Sequence, residues 1–469
     1  MFQRPRLRPL EATRTPIRTA LCASLALFCA TRSPLALAQA PSDPPPSSDP
    51  PAPDPTAPGD TGEPDTPARP TEPAVPAPAS IPAPAPNPDL ANIEAALARD
   101  AATNAAQNPG APAVAPVATG APQSMNPDLS LIGDFALAAF SPKHSHQTGD
   151  HDPKEPGFNL QQLELSFGAA VDPYLRFDSN IVFSLDGVEV EEAYATTLDL
   201  PGRLQARFGQ MLTRFGRINP THPHVWEFVD QPFVMGRVFG GDGNRGLGVE
   251  LSYLTPLPWY VELVGSATRA DGAETARSFY GAENPGVGSP LDVLYVTAVK
   301  QFFPLSEDWS LFWGLSGAFG PNASGKDGRT ELYGTDLYLK YRPITRENPP
   351  VVSLQTEWLY RHRSLEVGTL DDYGGYAQLL YRFAQRWSGA GRFEFGSVSR
   401  GADGNPAGDP LDPDWLRDRT RYTLALTHYP TEFSRFRLQA SRDIGLGPGV
   451  WAVFLAAEVA TGAHGAHSF

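Results

Sequence analysis

The chain has 469 residues, among them 50 Pro and 43 Gly, and 52 acidic against 37 basic residues give a net charge of −15 at pH 7. So acidic a balance argues against nucleic-acid binding, which needs a Lys/Arg footprint for phosphates. The only two cysteines, Cys22 and Cys29, sit in an amino-terminal apolar run, which excludes a disulfide framework or a Cys-ligated metal from the rest of the chain.

Arg4, Arg6, Arg8, Arg14 and Arg18 precede the short apolar run Ala20–Ala30, and Ala36-Leu37-Ala38 supplies a small-x-small cleavage pattern. Residues 1–38 therefore read as a secretory signal. The apolar run is too short for a membrane-spanning helix, which needs about 20 residues. Without this segment the chain keeps 31 basic and 51 acidic residues, a net charge of −20. Residues 39–127 are dominated by Pro, Ala, Asp, Ser and Thr. A stretch of that composition cannot bury a core and predicts a disordered, extended periplasmic linker. Within it, Leu90, Ile93 and Leu97 stand at helical spacing and predict a short, transient helix over 89–106.

From Asp128 the texture changes to period-two alternation, repeated in sixteen stretches. Leu163, Leu165 and Phe167 alternate with Gln162, Glu164 and Ser166; Phe436 and Leu438 alternate with Arg435, Arg437 and Gln439. Polar partners at every second position are costly against lipid and must face water. Every second connection is short, as at Leu200-Pro201-Gly202 and Ala384-Gln385, whereas the intervening ones include long loops at 141–157, 214–244, 269–292 and 399–418. This parity predicts an all-β fold: a sixteen-stranded antiparallel transmembrane β-barrel over 128–469, in the outer membrane of a Gram-negative cell. Trp259, Tyr260, Trp309, Trp387, Tyr429 and Trp451 fall near strand ends, where interfacial girdles form.

The long stretch 214–246 follows the fifth strand, as in the trimeric porins, which this arrangement resembles; there the equivalent loop folds inward and narrows the pore. The run 187–216 also resembles the phosphate-selective porin O/P superfamily, in Glu192-Ala193-Tyr194, in Leu200-Pro201-Gly202, and in Phe208-Gly209-Gln210 followed by Phe215-Gly216. Closer still, the chain is similar to uncharacterised proteobacterial barrels, some of which are labelled zinc-regulated outer-membrane receptors. The resemblance implies a homotrimer in outer-membrane lipid, with loop 214–244 as a constriction carrying Arg217, Glu227, Asp230, Arg237 and Arg245. Phe469 resembles the terminal aromatic residue read by the barrel assembly machinery. Phosphate selectivity does not follow, because the barrel region holds only Lys143, Lys154, Lys300, Lys326 and Lys340 and is net acidic by twelve.

Alternation turns Arg176, Asp178, Arg207, Glu250, Glu357, Arg361, Arg392, Glu394, Arg435 and Arg437 toward the lumen. Opposed charges there either create a transverse field across an open pore or pair into a rigid filling. Histidines concentrate in two loops. His144, His146 and His151 lie in the first with Asp150 and Asp152; His222 and His224 lie in the long one beside Glu227 and Asp230. His-x-His with carboxylates is a transition-metal pattern, so Zn²⁺ is the candidate ion for these five. A solvated polar loop, or a His-Pro-His-Val-Trp stretch packed on the wall, explains the same residues without a metal. No other cofactor motif and no nucleophile, Walker or dinucleotide motif is present, so an enzyme is not expected. Passive passage of small solutes or ions is the first expectation. The alternatives are zinc uptake or sensing through the histidine loops, and a non-conducting anchor or adhesin whose linker reaches peptidoglycan.

Overall fold

Alternation demands a sheet with two unlike faces, and a computed structural model shows where each face goes. It describes residues 127–142, 145–185, 187–343, 350–366, 368–447 and 449–462. The expected signal, almost all of the linker with its 89–106 helix, His144 and Phe469 lie outside the described residues.

The sequence enters the sheet with β1 (Asp128–Ser141), β2 (Gly157–Ala170), β3 (Leu175–Phe183), β4 (Val188–Thr197) and β5 (Leu204–Leu212). After the long segment 213–244 come β6 (Arg245–Leu254), β7 (Tyr260–Arg269), β8 (Val293–Pro304), β9 (Trp309–Pro321) and β10 (Arg329–Tyr341). Then follow β11 (Val351–Leu365), β12 (Gly368–Ala384), β13 (Trp387–Gly396), the two-residue β14 (Arg400–Gly401), β15 (Arg419–Thr431), β16 (Ser434–Ile444) and β17 (Trp451–Gly462). Leaving β14 aside, sixteen strands pair antiparallel with their neighbours in sequence. The sheet then closes, because β17 lies against β1 with Ser130 opposite Gly462 and Ser141 opposite Trp451. Closure leaves no edge unpaired, the condition for crossing hydrocarbon with strands.

The two faces are inverted relative to a soluble protein. On β16, Arg435, Arg437, Gln439, Ser441 and Asp443 are buried inside, while Phe436, Leu438 and Ile444 are exposed outside. Leu424 at the middle of β15 is 72% exposed, and Leu426 and Leu455 join it on the outer surface. Trp259, Tyr260, Trp309 and Trp387 are exposed at the short-turn rim, as the girdle expectation required, and Trp451 is exposed at the opposite rim. Tyr429 is a correction: it is buried and points inward, its ring lying 4.9 Å from the Arg382 guanidinium.

Alternation did not predict what fills the lumen. Leu294, Val296, Ala318, Leu332 and Leu359 from β8–β11 are buried against Phe215, Ile218, Phe233, Val238 and Phe239 of segment 213–244. That segment contains a 3-10 turn at Pro223–Val225 and one α-helix, α1 (Phe233–Phe239), all seven residues of which are buried. An apolar core therefore lies inside the barrel, and its helix is buried on every side, with Arg237 its single charged residue.

A charge on the outer face at mid-strand must be lifted into hydrocarbon. Leu424→Arg is expected to lower stability by about 2–4 kcal/mol in urea unfolding from phospholipid vesicles. A loss below about 1 kcal/mol contradicts a lipid-facing position at bilayer depth.

Candidate functional site

Segment 213–244 leaves the rim after β5 and crosses the lumen, with its main chain held by wall side chains. Gly216 N–H donates to Ser316 Oγ on β9 at 3.0 Å, and Lys300 on β8 donates to Gly216 O. Arg217 and Ile218 N–H donate to the two oxygens of Glu357 on β11, at 2.9 and 2.8 Å. Phe233 N–H donates to Glu394 on β13 at 2.7 Å, and Val229 N–H to Gln439 on β16 at 2.8 Å. Arg435 donates to His224 O at 2.6 Å and Trp226 O at 2.9 Å, and Arg437 donates to Phe228 O at 3.0 Å. Irregular backbone is tolerated at membrane depth only with such partners. Gly216 shows how closely the segment is seated: its φ is +59°, and a Cβ there would run into the Glu357 carboxylate.

The lumen charges are paired. Asp230 accepts from Arg392 at 2.6 Å, from Arg421 at 3.1 Å and from Gln439 at 2.7 Å, all buried. Arg392 also bonds Glu394 at 2.7 Å. Arg237 bonds Asp412 and the Ser397 carbonyl, both at 2.7 Å, and stacks 4.1 Å from the Trp415 ring. Arg361 and Arg363 share Asp372 at 3.0 Å each, and Asp412 and Asp409 are their second carboxylate partners. Asp409 and Asp412 are thus counter-ions to buried arginines. Arg207 pairs with Glu250 at 2.9 Å, Arg435 with Glu458 at 2.5 Å, and Arg437 with the same Glu458 at 3.1 Å. Arg176 and Asp178 pair with each other at 2.8 Å and remain partly exposed. Arg245 reaches Asp242 at 3.3 Å and also Glu189. Nine of the ten inward charges named from sequence meet an opposite charge, and Glu357 is held by backbone N–H groups instead. Unpaired charges at this burial would cost several kcal/mol each.

Space remains beside the segment. A cavity of about 300 Å³ lies between it and the inner wall of β10–β13, lined by Arg217, Trp226, Glu227, Tyr338, Gln355 and Arg392. Arg217 borders this space with its guanidinium 3.8 Å from the Tyr338 ring. Among the five loop residues singled out by sequence, Arg217 and Glu227 face this space and Asp230 lines its edge. Arg237 and Arg245 are locked elsewhere in salt bridges.

The histidines converge on a second centre. His151 Nε2 lies 2.7 Å from Glu191 Oε1 and 3.4 Å from Asp242 Oδ1. His222 lies 3.2 Å from the other Glu191 oxygen and 2.9 Å from Glu192; His224 lies 2.9 Å from Glu164, its ring stacked on His222 with centroids 5.7 Å apart. Their partners are strand glutamates, where the sequence had placed Glu227 and Asp230 beside His222 and His224. Asp230 is instead bound by arginines, and Glu227 faces the cavity. His146 does not join the cluster; its carbonyl accepts from Arg419 and Arg421 at 2.9 and 3.1 Å. A β-bulge explains the site: pairing of β3 with β4 shifts between Asn180 and Ile181, so the adjacent Glu191 and Glu192 are both buried inward. Two successive glutamates in an alternating strand were the available signal for it, and sequence reasoning missed Glu191, Glu192 and Asp242. Burial alone would lower His151, yet the hydrogen bond and charge of Glu191, with Asp242, raise it to about 9. Burial also opposes protonation of His222, but the charge of Glu164 and hydrogen bonds to Glu191 and Glu192 hold it well above the ordinary imidazole range. Burial pushes Asp242 up to about 7 against the pull of His151 and Arg245.

A closed sheet with an apolar exterior and a polar interior crossed by one of its own loops defines a membrane-type β-barrel. The chain belongs to the same family as an uncharacterized protein of Aquifex aeolicus (strain VF5), 34% identical over 359 residues, covering 68% of this chain and 73% of the relative. No protein-family model matches the chain. Among solved structures it is similar to OprB of Pseudomonas putida, at 11% identity and a TM-score of 0.47, over 72% of this chain and 94% of that one. An anion-selective porin from Comamonas acidovorans matches at 11% identity and 0.46, over 72% and 99% of the two chains. The trimer form of OmpT, an outer membrane protein of Vibrio cholerae, matches at 9% and 0.47, over 72% and 99%. Likenesses this distant carry no functional inference.

Asp230 is the carboxylate on which two wall arginines and the crossing segment meet. Asp230→Ala is expected to destabilise the barrel by about 3–5 kcal/mol in urea unfolding, the cost of stranding a buried charge. Unchanged stability would show that Arg392 and Arg421 do not depend on it.

Proposed function

We propose that the protein is an outer-membrane, porin-like channel for passive passage of small solutes or ions, narrowed by the segment 214–244. The observation that carries this reading is the cavity bordered by Arg217, Glu227 and Tyr338, left where that segment crosses a closed barrel with an apolar exterior. The signal-like amino terminus supports export to the outer membrane, with the short turns and the proline-rich linker on the periplasmic side. Kinship with the phosphate-selective porin O/P superfamily is supported by where its resembling residues fall. Glu192-Ala193-Tyr194 lies on β4 and Phe208-Gly209-Gln210 on β5, where Gly209, at φ +134°, admits close approach of the β4 backbone. Phosphate itself is not the proposed solute, because the barrel region carries an acidic excess of twelve.

The same excess sets the expected selectivity. In planar bilayers the purified protein should give single-channel current steps, and under a salt gradient the reversal potential should show weak cation preference that fades as salt screens the charges. Bilayers in which the protein is inserted but no steps occur contradict the channel reading, and anion preference contradicts the charge argument.

A further inference from the structure

We propose that His151, Glu191 and Asp242 form a binding site for a divalent transition-metal ion inside the barrel. Three separate parts of the chain bring them together: the loop after β1, the bulged strand β4, and the end of the lumen-crossing segment. One donor atom from each lies within 4.8 Å of the other two, close enough to share one ion.

Two further observations point to a ligand. Asp242 Oδ1 is buried and has no hydrogen-bond partner, on a side chain only 3% exposed. His151 Nε2 lies 3.4 Å from it, too distant for a good bond. A cavity of about 30 Å³ adjoins the three residues, bordered also by His222, Asn219 and Arg245, and has room for a single ion or water.

The donor set defines the chemistry. One imidazole and two carboxylates suit Zn²⁺, Co²⁺ or a similar borderline ion with metal–ligand bonds of about 2.0–2.2 Å. The set has no sulfur for soft Cu(I), and its imidazole is not the ligand that Ca²⁺ or Mg²⁺ prefers. The ligands are oriented from behind: the second Glu191 oxygen contacts His222 Nδ1 at 3.2 Å, and Asp242 Oδ2 contacts Arg245 at 3.3 Å. Such outer contacts hold a ligand in its binding pose. Three protein ligands leave at least one position open, so the ion would remain exchangeable with water in the lumen. The site is independent of whether the barrel conducts.

Calorimetric titration of the full-length, detergent-folded, chelator-stripped protein with Zn²⁺ tests this. One ion should bind per chain; Asp242→Asn and His151→Ala should each weaken it at least about tenfold, the scale of losing a metal ligand or its support. His146→Ala should bind as the parent does. Heat-modifiable gel mobility identifies variants that fail to fold. X-ray absorption on the Zn²⁺-loaded parent supplies the independent reading, with imidazole nitrogen and carboxylate oxygen expected in the first shell. Absence of saturable one-to-one binding, parent-like affinity in folded Asp242→Asn, or a first shell lacking imidazole or carboxylate would overturn the proposal.

Discussion

A polar lumen enclosed by a hydrocarbon-facing sheet has to satisfy its own hydrogen bonds, and here the main chain of one segment does much of that work. Glu357 takes two successive backbone N–H groups, Glu394 takes another, and Arg435 with Arg437 takes the carbonyls of His224, Trp226 and Phe228. Each side of the exchange needs the other. Glu357 and Glu394 would lose backbone donors without the segment, and the segment would be unsatisfied irregular backbone without the wall.

This mutual dependence sets the shape of the space that remains. Contacts to β8, β9, β11, β13 and β16 spread the segment across the lumen, and a cavity is left beside the wall of β10–β13. The apolar core around α1 reinforces the placement, because Phe233, Val238 and Phe239 are buried in it. The histidine cluster lies where the same segment meets β4. The proposed passage and the proposed ion site therefore share one structural element but use different residues of it.

Much of the barrel was legible in sequence because alternation is a local property. Arg435, Arg437 and Gln439 read as inward-facing from their spacing alone, and they are. Tyr429 was misplaced because proximity to a strand end says nothing about which face a residue takes, and on β15 its parity is that of inward Arg421 and Thr423. Partners were less legible than orientations. Val229 meets Gln439 across 210 residues, and Arg421 meets Gln147 across 274, separations at which no spacing rule operates. His222 and His224 were assigned to carboxylates close in sequence, whereas a bulge in β4 and the fold of the crossing segment gave them Glu164, Glu191 and Glu192. The apolar filling is not legible from alternation, because Leu294, Val296 and Leu332 stand at inward positions of β8 and β10 that polar residues such as Lys300 and Asp336 occupy further along the same strands.

Hydrogen exchange resolved to individual amides tests the central claim, that segment 213–244 is pinned inside the barrel by wall side chains. The amides of Arg217, Ile218, Val229 and Phe233, each bonded to a wall side chain, should exchange far more slowly than those of the exposed stretch 282–288. Exchange of these four at the rate of the exposed stretch would contradict the account.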